Sequence, residues 1–175
     1  MRHYDQQARI YDVQYLREQD AKIEDILNNI KFGSNEIVLD LGCGTGFLFQ
    51  HIAKKVGLLV GIELSSEALR EAKKRTKNMP NIVLVRADAD YTPFPDRIFD
   101  KVFAITLLQN MPEPTKTITE MKRIGKPQAV FSVTGLKKTF TKESFVDLLE
   151  RAQLKVVTLN TNQQLKGHVA VCTNL

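Results

Sequence analysis

The run "EIVLDLGCGTG", residues 36–46, constrains the fold more than any other part of the chain. Branched apolar residues suited to a strand lead directly into a turn in which Gly42, Gly44 and Gly46 alternate with other residues. Such glycines let a backbone turn sharply and approach a ligand with no Cβ in the way, at the point where a strand gives way to a helix. The next segment, carrying Phe47, Leu48, His51 and Ile52, is expected to be that helix. A strand, glycine turn and helix in succession belong to a parallel sheet with helical crossovers.

The remainder of the chain repeats the alternation. Seven short β-rich runs, residues 36–41, 58–63, 82–87, 100–105, 129–134, 155–160 and 168–173, are separated by segments of helical period. Ile23, Ile26, Leu27 and Ile30 fall at i, i+3, i+4 and i+7, and Phe145, Leu148, Leu149 and Ala152 repeat that spacing, so each set marks one buried helical face. Gly33 suits the close of the first of these helices. A third helix, from about Ser65 to Lys77, has Ser65 or Ser66 as N-cap, Glu67 in its first turn and lysines in its last, matching the macrodipole. The last two strands are joined only by "TNQQLKG", too short for a parallel crossover, and should form an antiparallel hairpin at one end of the sheet. The expected fold is therefore α/β: a Rossmann-like, seven-stranded, mostly parallel sheet with helices on both faces and a C-terminal antiparallel hairpin. A chain of 175 residues has the size of one domain, so 1–175 is read as a single unit.

Composition removes several classes. With 43% hydrophobic and 26% charged residues the chain has the profile of a soluble globular protein rather than a disordered one. No apolar run approaches the roughly 20 residues needed to cross a bilayer, and "MRHYDQQARIYD" lacks the apolar core of a secretion signal, so a cytoplasmic protein is expected. Cys43 and Cys172 stand far apart with no His or Cys at metal spacing, which supports neither a disulfide nor a metal site. The net charge of +5 comes with basic clusters at 70–77, 122–126 and 137–138. These suit either a polyanionic partner or a solvated lysine-rich surface; the first cluster falls on the exposed face and C-terminal end of a helix, as the surface reading requires.

The acids say more than the glycines. Asp40 stands at the mouth of the loop, where a carboxylate repels a diphosphate and suits a ligand bearing an ammonium and a sulfonium, which favours S-adenosylmethionine over a dinucleotide. Glu63 ends the second strand, where its two oxygens can accept from both hydroxyls of a ribose; this identifies a ribose rather than a cofactor. Asp88 ends the third strand, suited to the amino group of adenine with the Ala89 N–H on a ring nitrogen, or else to turn formation ahead of "YTPFPD". A nicotinamide dehydrogenase is disfavoured because Gly46 follows Gly44 by two positions, not three.

With "GIELS", "VRADADYTPFPDRIFD" and "KVFAITLLQNMPEPTKTITEMKRIGKP", the glycine run resembles the class I S-adenosylmethionine-dependent methyltransferases, especially the branch holding ubiquinone/menaquinone and many small-molecule and tRNA methyltransferases. The resemblance spans residues 36–134, and "YDQQARIYDVQY" is similar to that branch's N-terminal segment. It implies an enzyme that uses S-adenosylmethionine, with residues 1–32 as a helical cap and 33–175 as the catalytic core. It implies Asp40, Gly42, Cys43, Gly44, Thr45 and Gly46 around the methionine moiety, Glu63 and Leu64 at the ribose and adenine, and Asp88 and Ala89 at the adenine. Ala104 and Thr106 would stand beside the sulfonium, and Tyr11 would cover the cofactor unless it is a helix-packing aromatic.

Methyl transfer from a cationic sulfur needs alignment more than acid/base help, so the acceptor leaves a faint trace. The Asn-Pro-Pro-Tyr-like turn of enzymes that methylate amide or adenine nitrogens is replaced here by "AITLLQ". Where the quinone branch often has a histidine, this chain has Gln109 and Asn110, weak catalytic candidates whose amides can orient a hydroxyl or carboxylate but cannot act as a base, or which merely begin a helix. His51 is expected at a helix surface and Cys43 to offer only its backbone. Only the first 32 residues, "TLLQNMPEPT" and "LKKTFTKE" remain for substrate recognition, so an open site is expected. That suits RNA or protein as acceptor, or a partner subunit that completes and activates the pocket; a small quinone-like acceptor beneath the N-terminal helix and a non-enzymatic cofactor-binding module are the alternatives.

Overall fold

Along each central strand, alternate side chains enter different cores, as a sheet covered on both faces requires. Val38 and Phe103 pack with Ile23, Ile26, Phe49 and Ala72 on one face. Leu39, Leu41 and Val102 pack with Ile118, Met121, Phe145 and Leu149 on the other. The computed structural model describes residues 17–175; the expected role of Tyr11 lies outside the described residues.

The first face is covered by a helix over residues 17–28 (α1), by α2 (Phe49–Ile52) and by α3 (Ser66–Arg75). The second is covered by α4 (Pro114–Ile124) and α5 (Lys142–Arg151). Between them lie β1 (Ile37–Leu41), β2 (Leu58–Glu63), β3 (Ile82–Arg86), β4 (Phe99–Ala104), β5 (Gly125–Leu136), β6 (Leu154–Asn160) and β7 (Gly167–Asn174). The strand order is β3-β2-β1-β4-β5-β7-β6. The first five strands pair in parallel, and β7 runs antiparallel to both β5 and β6. The expected C-terminal hairpin is thus present, with its second strand inserted beside β5 and its first at the sheet edge. From β1 the chain winds one way through β2 and β3 and the other way through β4 and β5, and the crevice beyond the strand ends at such a reversal is where open α/β sheets bind ligands.

Local chemistry sets the ends of the helices. Ser65 caps α3 by accepting the Ala68 N–H at 3.2 Å, and Thr141 caps α5 by accepting that of Ser144 at 3.1 Å. The helix expected after the glycine loop is only one turn long and passes into a 3₁₀ turn, Ala53–Lys55. At the junction Ile52 leaves helical geometry, with φ −125° and ψ −13°. The carbonyls released there are taken up by Asn81, whose Nδ2 donates to Ala53 O at 2.7 Å and to Val56 O at 3.0 Å. Phe49 of this short helix lies directly on Gly61 of β2, where any Cβ would come 2.5 Å from Cζ of the ring. α4 is an addition to the helices expected from the sequence; Pro114 opens it and Ile118, Met121 and Ile124 form its buried stripe. Among the described residues no helix is long and apolar enough to cross a membrane.

Candidate active site

The site grows out of the end of β1. Asp40 is buried, and in the sheet it stands opposite Gly61 of β2 and Phe103 of β4. Beyond it the chain enters the left-handed region three times, at Gly42 (φ +72°), Gly44 (φ +53°) and Gly46 (φ +82°). The loop is tied to β2 by the Cys43 N–H donating to Ile62 O at 2.8 Å. Glu63 completes the tie: Oε2 accepts the Gly44 N–H at 3.1 Å and Oε1 accepts the Ser65 N–H at 2.8 Å, so one carboxylate fixes both the glycine loop and the entry to α3.

Two carboxylates therefore converge with little to balance them. Burial, and secondarily the charge of Glu63, pushes the Asp40 carboxyl up to about 7. A cavity of about 470 Å³ opens over this pair. The loop from Gly42 to Thr45 forms its floor, Leu64 its outer edge, Gln19 and Ile23 of α1 one wall, and Ile105, Leu107 and Met111 another. Among the described residues, no lysine or arginine lines it.

Thr106, just past β4, holds the far wall in shape. Its φ of +59° is a conformation that costs a β-branched residue about 1–2 kcal/mol, and hydrogen bonds on every side sustain it. The N–H donates to Thr134 Oγ1 at 2.7 Å, and the hydroxyl donates to Gln19 Oε1 at 2.9 Å. The carbonyl accepts from Gln109 Nε2 at 2.7 Å and from Asn110 Nδ2 at 3.0 Å. The two amides thus brace a strained turn, and of the two only Asn110 lines the cavity.

Of the residues expected at a cofactor, Asp40, the loop residues Gly42, Cys43, Gly44 and Thr45, the pair Glu63 and Leu64, and Thr106 share this cavity wall. The others stand elsewhere. Gly46 lies behind the loop against Phe49 and Ala72, and Ala104 and Ala89 are packed in the core on the α4 side. Asp88 accepts the Asp90 N–H at 2.9 Å within its own turn. Sequence reading passes over the apolar wall residues Ile23, Ile105, Leu107 and Met111 and the polar Gln19; Gln19 precedes Ile23 by one helical turn, so the buried stripe of α1 was its available signal. His51 joins α2 to α1, with Nε2 3.2 Å from Asp20 Oδ1. The Cys43 thiol is buried, and burial followed by the charges of Asp40 and Glu63 pushes its ionisation far up, which makes it inert as a nucleophile. Among the described residues no cluster of His, Cys, Asp and Glu is suited to a metal ion.

Comparison with known proteins meets the same region. The family described as "Methyltransferase domain" matches residues 39–133. The chain is 38% identical over 102 residues to the demethylmenaquinone methyltransferase of Staphylococcus saprophyticus, an alignment covering 57% of this chain and 43% of that protein. The chain spans less than half the length of the curated relatives it matches. Among solved structures, an S-adenosylmethionine-dependent methyltransferase from Aquifex aeolicus superimposes with a TM-score of 0.77 at 20% identity, covering 86% of this chain and 88% of that one. A chain of the complex between the Haloferax volcanii Trm112 methyltransferase activator and a methyltransferase superimposes with a TM-score of 0.74 at 17% identity, covering 86% and 87%.

Proposed function

Because the chain belongs to the methyltransferase domain family, which accounts for residues 39–133, we propose that it transfers a methyl group from S-adenosylmethionine and does so at the cavity above β1 and β4. The observation that carries this reading is the pairing of Asp40 with Glu63 in a cavity whose described wall holds no cation. A ligand with an ammonium and a sulfonium relieves that field; a diphosphate would intensify it. When bound, S-adenosylmethionine supplies a methyl group already activated on a cationic sulfur. The chain's own task is to hold and align. Gly42, Gly44 and Thr45 let the backbone approach the methionine portion, while Asp40 offsets its positive charge. Glu63 accepts one backbone N–H on each oxygen and keeps further lone pairs for the ribose hydroxyls. Leu64, at the cavity rim, flanks the adenine.

Titration calorimetry tests the assignment. Glu63→Ala is expected to weaken S-adenosylmethionine binding by about 10- to 100-fold, the loss of charged hydrogen bonds together with a loosened loop. An unchanged dissociation constant would remove Glu63 from the site.

For the acceptor, the walls favour a small apolar molecule that needs no base from the chain. Ile105, Leu107 and Met111 give that side an apolar surface, and the nearby amides of Gln109 and Asn110 are engaged by Thr106. The similarity to a demethylmenaquinone methyltransferase points the same way. A polyanionic acceptor gains less support, because the basic clusters are largely tied down. Arg70 and Lys74 pair with Glu67 and Glu71 along α3, and Lys122 donates to the Ala152 and Gln153 carbonyls at the end of α5. Arg123 pairs with Asp96 and Glu120, and Lys137 donates to the Thr161 and Asn162 carbonyls. A second reading, a site completed by an activating partner, draws on the exposed Leu64 at the cavity rim, the exposed Val83 on edge strand β3, and the likeness to a chain from an activator complex. Incubating the protein and methyl-labelled donor with separated lipid, RNA and protein fractions distinguishes the readings. Label in the lipid fraction with the protein alone supports the first, and label only after a partner-containing extract is added supports the second.

A further inference from the structure

α1 brings to the cavity a group that the glycine loop does not offer. Gln19 is 4% exposed and forms part of the cavity wall. Its Oε1 accepts the Thr106 hydroxyl at 2.9 Å, and its Nε2 has no hydrogen-bond partner. Four buried side-chain atoms among the described residues lack partners: Gln19 Nε2, Gln109 Oε1, His168 Nδ1 and Asn174 Oδ1. Of these four residues only Gln19 lines the cavity. Burying an amide NH₂ with nothing to accept from it is costly, and such a group in a cavity wall calls for a ligand atom that accepts.

We infer that Gln19 is a positioning residue for the carboxylate of the methyl donor, an assignment that rests on the proposed use of this cavity for S-adenosylmethionine. Besides its two cationic groups, that molecule carries a carboxylate, which Asp40 and Glu63 repel. No lysine or arginine among the described residues lines the cavity to receive it. The side-chain donors on the described wall, Gln19, Thr45, Thr106 and Asn110, are all neutral, and the Gln19 amide nitrogen is the buried one with no acceptor. Thr106 Oγ1 takes up Oε1, so the NH₂ is the end left for the ligand. The left-handed turn at Thr106 thereby gains a purpose: it directs a hydroxyl at α1, where it meets the Gln19 amide. The same contact links the helix preceding the core to the occupied site.

Calorimetry with S-adenosylmethionine and with its decarboxylated analogue, on the wild-type chain, Gln19→Leu and Gln19→Glu, tests this. Gln19→Leu is expected to weaken S-adenosylmethionine about 10-fold and to leave the decarboxylated analogue within about twofold. Gln19→Glu, which keeps an oxygen for Thr106 and so preserves the fold if the leucine variant does not, is expected to weaken S-adenosylmethionine more, by about 100-fold, without weakening the analogue. Equal losses for both ligands would overturn the inference and assign Gln19 to the seating of α1. Unchanged affinity for S-adenosylmethionine in both folded variants would overturn it as well. A wild-type chain that binds neither ligand would instead overturn the underlying reading of the cavity.

Discussion

Asp40→Asn is expected to raise the stability of the free protein at pH 8 while lowering its affinity for S-adenosylmethionine by at least 10-fold. The carboxyl of Asp40 is buried, and burial, then repulsion from Glu63, raises it to about 7 in the folded state. In the unfolded chain it titrates near 4, so the folded state carries an extra proton between about pH 4 and pH 7. Stability is therefore greatest at the acidic end of that window and is lost as pH rises toward 7. Above pH 7 the ionised side chain costs the fold on the order of 4 kcal/mol. An asparagine avoids that charge but must bury an amide, a penalty of about 1–3 kcal/mol. The net expectation is a gain of about 1–3 kcal/mol at pH 8 and none, or a loss, at pH 5. Urea unfolding at the two pH values checks the sign. The same ionisation governs the ligand: a cationic donor favours the charged form, so wild-type affinity should rise between pH 5 and 7 and level off above, and the asparagine variant should lose that slope. Equal destabilisation of the variant at both pH values would show that Asp40 is held by contacts rather than tolerated as a charge.

Gly46→Ala and Gly44→Ala are expected to fail in opposite ways, although both glycines have positive φ. At Gly46 a Cβ would come within 2.6 Å of the Phe49 ring and 3.5 Å of Ala72 Cβ. The left-handed conformation adds about 1–2 kcal/mol to an overpacking cost of about 1–3, giving an expected loss of about 2–5 kcal/mol. Phe49 cannot retreat, because it already lies on Gly61. At Gly44 a Cβ meets nothing within 4 Å, so stability should fall only by about the conformational cost, 1–2 kcal/mol. That Cβ nevertheless arises on the cavity floor, beside the N–H held by Glu63. Gly44→Ala should therefore fold and bind S-adenosylmethionine poorly, while Gly46→Ala should show a large drop in its denaturation midpoint. Thermal melts with and without ligand separate the two, since ligand should rescue the midpoint of Gly46→Ala far more than that of Gly44→Ala. Equal melting points for the two variants would contradict the packing argument.

Much of this was legible in the sequence wherever the signal is local. The branched runs around Val38–Leu41 and Leu58–Glu63 identify strands because side-chain direction alternates with period two, and β2 begins and ends where the sequence places it. Ser65 and the lysines of α3 mark a helix because caps and end charges act within one turn. "TNQQLKG" predicts an antiparallel hairpin because a parallel crossover needs more chain. The stripe Ile118, Met121 and Ile124 was equally available and marks α4, which an alternation count based on strands passes over.

What the sequence determined by itself was a glycine turn at the end of a parallel strand, with acids at the ends of its neighbours, because these features depend on chain geometry within a few residues. Only the tertiary structure decided that β7 would enter between β5 and β6, that Gly46 rather than Gly44 would be filled by Phe49, and that Asp88 would bond within its own turn. It alone set Gln19 against Thr106, 87 residues away in the chain. Contacts between elements distant in sequence depend on how two cores pack on opposite faces of one sheet. No local pattern encodes that, because the same amphipathic stripe on α1 seats the helix whether or not one of its side chains reaches the cavity.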